Sequence, residues 1–278
     1  MITSLKELQM LAEAEYSVED TRQDLNRLTS YFLSIDYRNR AVTEAFVKER
    51  QLPMAIADQQ KIFFVDPDIQ VTDLPEDLRE ESFGFVRGKY LPFAGRLVYP
   101  VMDVKGGVMG FCGWDKFEKP KYLDSQNYGY KAKATTCYGM ELLPEYYASG
   151  KPVYVVEGIV CCLYLKSKGF QSLALLGSSI TRYMQIILSR FGSRLIVMPD
   201  NDVFGKALED LDPEMAGEHF VLQAKRALPK ATVIQSIVAK DIDDTRKINN
   251  HVYEDLFVAD LKQVAVCPYF QFKTVRVR

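Results

Sequence analysis

Five carboxylates stand where this chain could do chemistry. Glu157 follows the apolar run Val153–Val156 and precedes Gly158; Asp200 and Asp202 follow Leu195–Met198; Asp241 and Asp243 follow Ala231–Val238. In open α/β sheets, ligands bind beyond the carboxyl ends of the strands. A D-x-D on an extended segment directs both acids to one side, so the pair can reach a single site. Five converging carboxylates repel one another unless a positive charge sits among them. Hard divalent cations with oxygen ligands are the natural counterion, and Mg²⁺ is the usual one where phosphates are handled. Gly158 lets a ligand approach the backbone beside Glu157. A lone D-x-D is ordinarily solvated turn chemistry, and Glu157 alone says little. Acids at three successive strand ends carry the argument together.

The elements that must position these acids read as strand and helix in alternation. Pro152 to Val156 predicts a buried strand, Ile159 to Lys168 a helix stopped by Gly169, and Leu173 to Leu176 a second strand. A helix around Tyr183 to Phe191, the strand Leu195–Met198, a helix over Ala216 to Leu228 and a strand over Ala231 to Val238 complete the series. Alternation of this kind predicts a mostly parallel sheet covered on both faces. The preceding part has a different grammar. Ser4 with Glu7 has capping-box spacing, Ser17 or Asp20 opens a second helix carrying Leu25, Leu28 and Phe32, and a third covers Val42 to Lys48. Ile62 to Val65 reads as a short strand, and 68–90 as polar loop. Arg96–Val104 and Val108–Trp114, joined by Lys105-Gly106-Gly107, read as a β-hairpin. The chain thus divides into an N-terminal helical segment over 1–30, a smaller mixed α+β subdomain over 31–150, an α/β domain over 151–245, and a C-terminal helix and tail over 246–278. The tail from Val264 to Arg278 alternates apolar and basic residues (Phe270, Phe272, Lys273, Val275, Arg276, Val277, Arg278), which suits an edge strand, a docking segment or a basic contact for nucleic acid.

Composition narrows the function. Thirty-five Lys and Arg face 37 Asp and Glu for a formal charge of −2, which disfavours a protein basic throughout that coats nucleic acid. Two histidines, His219 and His251, far apart in sequence, argue against a histidine metal site or a Ser-His-Asp hydrolase. The five cysteines form no C-x-x-C pair, so zinc is not expected, and their odd number and irregular spacing suit a reducing compartment. MITSLKELQML lacks the apolar run of a signal peptide, and no stretch of about 18 apolar residues occurs. A soluble protein of the cytoplasm, with no membrane partner, is expected.

The series Glu157-Gly158, Leu175-Leu176-Gly177-Ser178, Asp200-Asn201-Asp202 and Ala216-Gly217 resembles the TOPRIM domain of bacterial-type primases, topoisomerases and some nucleases. Gly95-Arg96-Leu97-Val98-Tyr99-Pro100-Val101-Met102-Asp103, then Gly107-Val108-Met109-Gly110-Phe111, Pro120-Lys121-Tyr122-Leu123-Asp124-Ser125 and Lys133 with Tyr138-Gly139, resembles the N-terminal half of the bacterial and phage DNA primase polymerase core. Ile35 to Gln51 weakly matches the helical segment before it, so the resemblance runs over roughly 30–250. It implies a nucleotidyltransferase that joins ribonucleotides into short RNA primers on single-stranded DNA with Mg²⁺ or Mn²⁺. Glu157 would be a general base or metal-site organiser. Asp200, Asp202, Asp241 and Asp243 would be metal-site carboxylates. Arg96, Lys121 and Lys133 match basic positions that face template or nucleotide phosphates, with Lys119 competing with Lys121.

Three departures qualify the match. Cys161 stands where the family's Glu-Gly-x-x-Asp has its second acid, and a buried helix residue is the expected role for it. Trp114 stands where the family has an arginine; base stacking and core packing both suit it. The family's Ala-Gly after D-x-D is best matched by Ala216-Gly217, which implies an acidic insertion near Leu208 to Met215. The family's zinc-binding and helicase-binding domains have no counterpart in this sequence, so a replicative helicase or another replisome protein is expected in trans. A TOPRIM nuclease using the same acids is the alternative, as is a catalytically weakened, primase-derived DNA-binding or assembly protein.

Overall fold

In a computed structural model of the chain, the residues described are 19–35, 39–79, 85–118, 120–125, 136–177, 179–201, 223–236, 239–244 and 272–274. They fall into two compact units, Met1–Thr136 and Cys137–Arg278.

The first unit is built on an antiparallel sheet of four strands in the order β1 (Phe63–Phe64), β2 (Leu97–Met102), β3 (Val108–Trp114) and β4 (Tyr122–Asp124). β2 and β3 are buried along their whole length. Their turn is tied by Asp103, whose Oδ1 accepts from the backbone N–H of Lys105 at 2.8 Å and of Gly107 at 3.0 Å. Gly106 takes φ +79° there, a left-handed conformation that costs glycine no steric penalty. Helix α1 (Glu19–Ile35) lays Leu25, Leu28 and Phe32 on the core, the spacing of a single helical face. Phe32, Phe63, Phe85, Phe93 and Phe111 meet at centroid distances from 5.0 to 6.1 Å, the range of favourable aromatic pairs. Two short helices, α2 (Arg40–Glu49) and α3 (Met54–Gln59), precede β1. α3 and β4 are too short to carry a readable period; β4 exists because β3 offers it an edge, with Trp114 opposite Tyr122.

In the second unit, α4 (Leu143–Ser149) precedes the sheet and is ended by Gly150 at φ +69°. Its sheet has the order β6 (Gln171–Ala174), β5 (Val153–Val156), β7 (Leu195–Met198), β8 (Thr232–Ser236) and β9 (Phe272–Thr274). The first four are parallel, as the alternating pattern predicts, and β9 joins antiparallel to β8, the edge strand among the roles expected for the tail. α5 (Ile159–Ser167) is buried from Ile159 to Leu165, so it is covered all round. α6 (Arg182–Ser189) is capped by Thr181, whose side chain accepts from the Met184 N–H. Residues 223–227 are helical; the rest of the expected helix over Ala216 to Leu228, and the acidic insertion, lie outside the described residues. β6 runs Gln171–Ala174 and stops two residues before the expected Leu176, because Leu176 takes φ +62° and cannot continue a strand. Tyr138 exchanges backbone hydrogen bonds with Ala174 at 2.8 and 3.0 Å. Met140, Leu143 and Tyr146 pack into this unit's core. The division at Thr136/Cys137 therefore precedes Gly150-Lys151: the segment between them is committed to the parallel sheet. Among the described residues no helix is long and apolar enough to cross a membrane.

Candidate functional site

The parallel order β6-β5-β7-β8 decides where a ligand can enter. The chain goes from β5 outward to β6, then returns across β5 to β7. The crevice between the carboxyl ends of β5 and β7 is thus the topological switch point, where open α/β sheets bind ligands. Val156 pairs with Met198 there, so Glu157 and Asp200 leave adjacent strand ends together. Glu157 is half-buried, and its Oε1 accepts from the Asp200 backbone N–H at 2.9 Å. One hydrogen bond thus holds the two acidic residues side by side.

β8 brings the third acidic turn to the same edge. Asp241 and Asp200 line one small void of about 10 Å³ with Cys161, Ser236 and Lys240, roughly the space of one water. Asp241 Oδ1 accepts from the Asp244 N–H at 2.8 Å, and Asp243 is buried. Cys161, in the first turn of α5, reports the convergence electrostatically. Burial pushes its thiol well above the usual range, the Asp241 and Asp200 carboxylates add to that, and a hydrogen bond with the Asp243 backbone opposes it. The thiol is therefore the neutral S–H form, as expected of a buried helix residue. Gly158 is exposed, and a Cβ there would meet no protein atom within 4 Å, so the backbone beside Glu157 is open to solvent.

The structure brings Glu157, Asp200, Asp241 and Asp243 to one end of the parallel sheet; Asp202 lies outside the described residues. Among the described residues no three His, Cys, Asp or Glu groups are arranged to hold a metal ion. The donors at this edge are hard carboxylate oxygens, the chemistry that suits Mg²⁺ or Mn²⁺. Residues that the sequence reading passed over also stand here. Lys240 sits beside the D-x-D, and its charge next to two acids was a usable signal. Asn201, Gln235 and Ser236 gave none, because their roles exist only between strands.

The basic residues divide differently. Arg96 is buried, and its Nη1 donates to the carbonyl of Pro120 at 3.0 Å and of Lys121 at 3.4 Å. It holds the segment that carries Lys121, whose side chain is exposed. Trp114 is 8% exposed, packs on Phe46 at 5.4 Å, and lies under the Arg50 guanidinium at 5.5 Å, which is the core-packing alternative. Lys133 lies outside the described residues. Phe117, 88% exposed, faces solvent here, as does Tyr122; Phe117 sits at a turn held by Asp115 Oδ1 accepting its N–H at 2.7 Å.

No protein-family profile matches the chain. A DNA primase of Clostridium acetobutylicum is 33% identical over 120 residues, which cover 42% of this chain and 20% of the relative. The chain therefore spans well under two thirds of that relative. Among solved structures, the zinc-binding and RNA polymerase domains of the Aquifex aeolicus primase superpose with a TM-score of 0.66 at 22% identity, over 88% of this chain and 61% of that one. The DnaG primase catalytic domain bound to ssDNA superposes with a TM-score of 0.65 at 20% identity, over 91% and 80%. The fold is that of the DnaG primase catalytic core, and the sequence is similar to DNA primases.

Proposed function

We propose that the chain is a primase-type nucleotidyltransferase that joins ribonucleotides into short RNA primers on a single-stranded DNA template. The observation that supports this reading is the pairing of Glu157 with the Asp200 N–H at the switch point of a sheet with the primase-core fold, with Asp241 lining the same small void as Asp200. The reaction is attack of a ribonucleotide 3′-hydroxyl on the α-phosphorus of an incoming triphosphate, with pyrophosphate leaving. Glu157, Asp200, Asp202, Asp241 and Asp243 are the residues that would hold Mg²⁺ or Mn²⁺. Such ions bind triphosphate oxygens and stabilise charge at the transferring phosphorus. Glu157, anchored by the Asp200 N–H, is the candidate to accept the hydroxyl proton or to orient the metal site. Open backbone at Gly158 admits the nucleotide close to Glu157. Lys121 and Lys133 would offset template or nucleotide phosphates, with Arg96 fixing the Lys121 segment and Trp114 the strand opposite it.

The neutral thiol of Cys161, in place of a family carboxylate, supports a second reading, a catalytically weakened primase-derived DNA-binding or assembly protein. Template selection and helicase coupling would come from a replisome partner in the cytoplasm. Purified protein with a set of single-stranded templates, ribonucleotides and Mg²⁺ or Mn²⁺ should yield short oligoribonucleotides. No product on any template, with a replicative helicase added, rejects synthesis, and DNA-dependent thermal stabilisation without nucleotide or metal response favours the second reading.

A further inference from the structure

We infer that Asn201 is the positioning residue that sets the spacing between the Glu157–Asp200 pair and the Asp241–Asp243 turn. The inference rests on the reading of these acids as a divalent-ion site.

β7 and β8 pair in register only at Ile196 with Thr232 and Val197 with Val233. Beyond that point the backbone ladder ends, yet both acidic turns lie further along. Three hydrogen bonds replace the ladder. The Asn201 backbone N–H donates to the Lys240 carbonyl at 2.6 Å, its side-chain Nδ2 donates to the Ser236 carbonyl at 3.1 Å, and Gln235 Nε2 donates to the Asp200 carbonyl at 3.3 Å. Ser236 Oγ accepts from the Ala239 N–H at 3.2 Å, which turns the chain from β8 toward Lys240 and Asp241. Asn201 is 7% exposed, so its amide is committed to this gap rather than to water. One residue thus bonds to both ends of the turn that leads from β8 into the acids, and its neighbour Asp200 holds Glu157. Shortening Asn201 leaves the Ser236 carbonyl without that donor and frees the Asp241 turn to drift from Asp200. Partners that orient metal ligands in this way typically control affinity by 10-fold to 100-fold.

The test is Mn²⁺ binding to the full chain, read by electron paramagnetic resonance of free Mn²⁺, on wild type, Asn201→Ala, Asn201→Ser and Ile187→Ala. Ile187 packs against this unit's core and serves as the control for general loosening. Both Asn201 variants should need at least about 10-fold more Mn²⁺ for half-saturation, while Ile187→Ala stays within about twofold even where its melting temperature falls as far. Asn201→Ser keeps the test open should the alanine variant fail to fold. Asn201 variants that bind Mn²⁺ as wild type does overturn this inference alone, as does equal weakening by Ile187→Ala. A wild-type chain that binds no Mn²⁺ overturns the divalent-ion reading and this inference together.

Discussion

Replacing Glu157 separates two roles that one side chain performs. Its carboxylate carries charge at the switch point, and its Oε1 satisfies the Asp200 N–H at 2.9 Å. Glu157→Gln keeps an oxygen of the same reach and removes the charge; Glu157→Ala removes both. A hydrogen bond to a charged acceptor contributes about 1.5–3 kcal/mol. Glu157 is half-buried, so solvent screening lowers its share to about 1–2 kcal/mol. For a unit of this size each kcal/mol moves the melting temperature by about 2–4 °C, so Glu157→Ala should melt about 2–8 °C below wild type. Glu157→Gln should melt at or above wild type, since it keeps the bond and relieves repulsion with Asp200. In primer synthesis both variants should fall alike, by at least about 100-fold, the scale seen when a preorganised charge is removed from a polar reaction. The assays are differential scanning calorimetry and single-turnover primer extension at saturating Mg²⁺. Glu157→Gln synthesising within about threefold of wild type would refute the role of the charge. Glu157→Ala melting with wild type would refute the role of the bond.

Two glycines give opposite expectations. A Cβ at Gly113 would lie 2.5 Å from Phe93 Cδ1 and 3.1 Å from Arg96 Cδ, so Gly113→Ala should cost about 1–3 kcal/mol by overpacking, read by urea denaturation. Gly158→Ala meets no protein atom and should melt with wild type yet raise the KM for nucleotide; an unchanged KM would mean no ligand passes there. Lys166 and Glu141 form a 3.7 Å pair with side chains 7% and 12% exposed, so Lys166→Met should cost about 3–5 kcal/mol. Adding Glu141→Leu should recover much of that loss in a chemical-denaturation cycle. Burial raises both Tyr147 and Tyr154 to about 12. The folded state therefore resists losing these phenolic protons. Their contribution to stability is intact below pH 10 and is lost as pH rises toward 12. Circular dichroism should show unfolding of this unit beginning above pH 10, and replacing both tyrosines by Phe should move that onset to higher pH.

The parallel sheet was legible because its two central strands read as unbroken apolar runs, Val153–Val156 and Leu195–Met198. The acids that follow those runs were legible for the same reason: a polar residue directly after a buried strand must emerge at its end. β4 and α3 were not, since three and six residues are too few to show a period. The early end of β6 was hidden in Leu176, whose residue type does not announce a positive φ.

Arg96 and Trp114 mark where residue type stopped being informative. Arg96 was read as facing nucleic-acid or nucleotide phosphates, and Trp114 as serving either base stacking or core packing; Arg96 is buried on the carbonyls of Pro120 and Lys121, and Trp114 packs on Phe46 under Arg50. A cation or an indole serves a ligand or a fold equally well, and the choice depends on which distant segment returns beside it. The sequence by itself determined the order of the strands along the chain and the acids at their ends, because period and adjacency are local properties. Only the tertiary structure decided that β5 and β7 are neighbours, that Glu157 accepts from the Asp200 N–H, and that Asn201 spans the gap to Lys240 and Ser236. Those depend on strand order in space, and buried polar groups must find their partners across it.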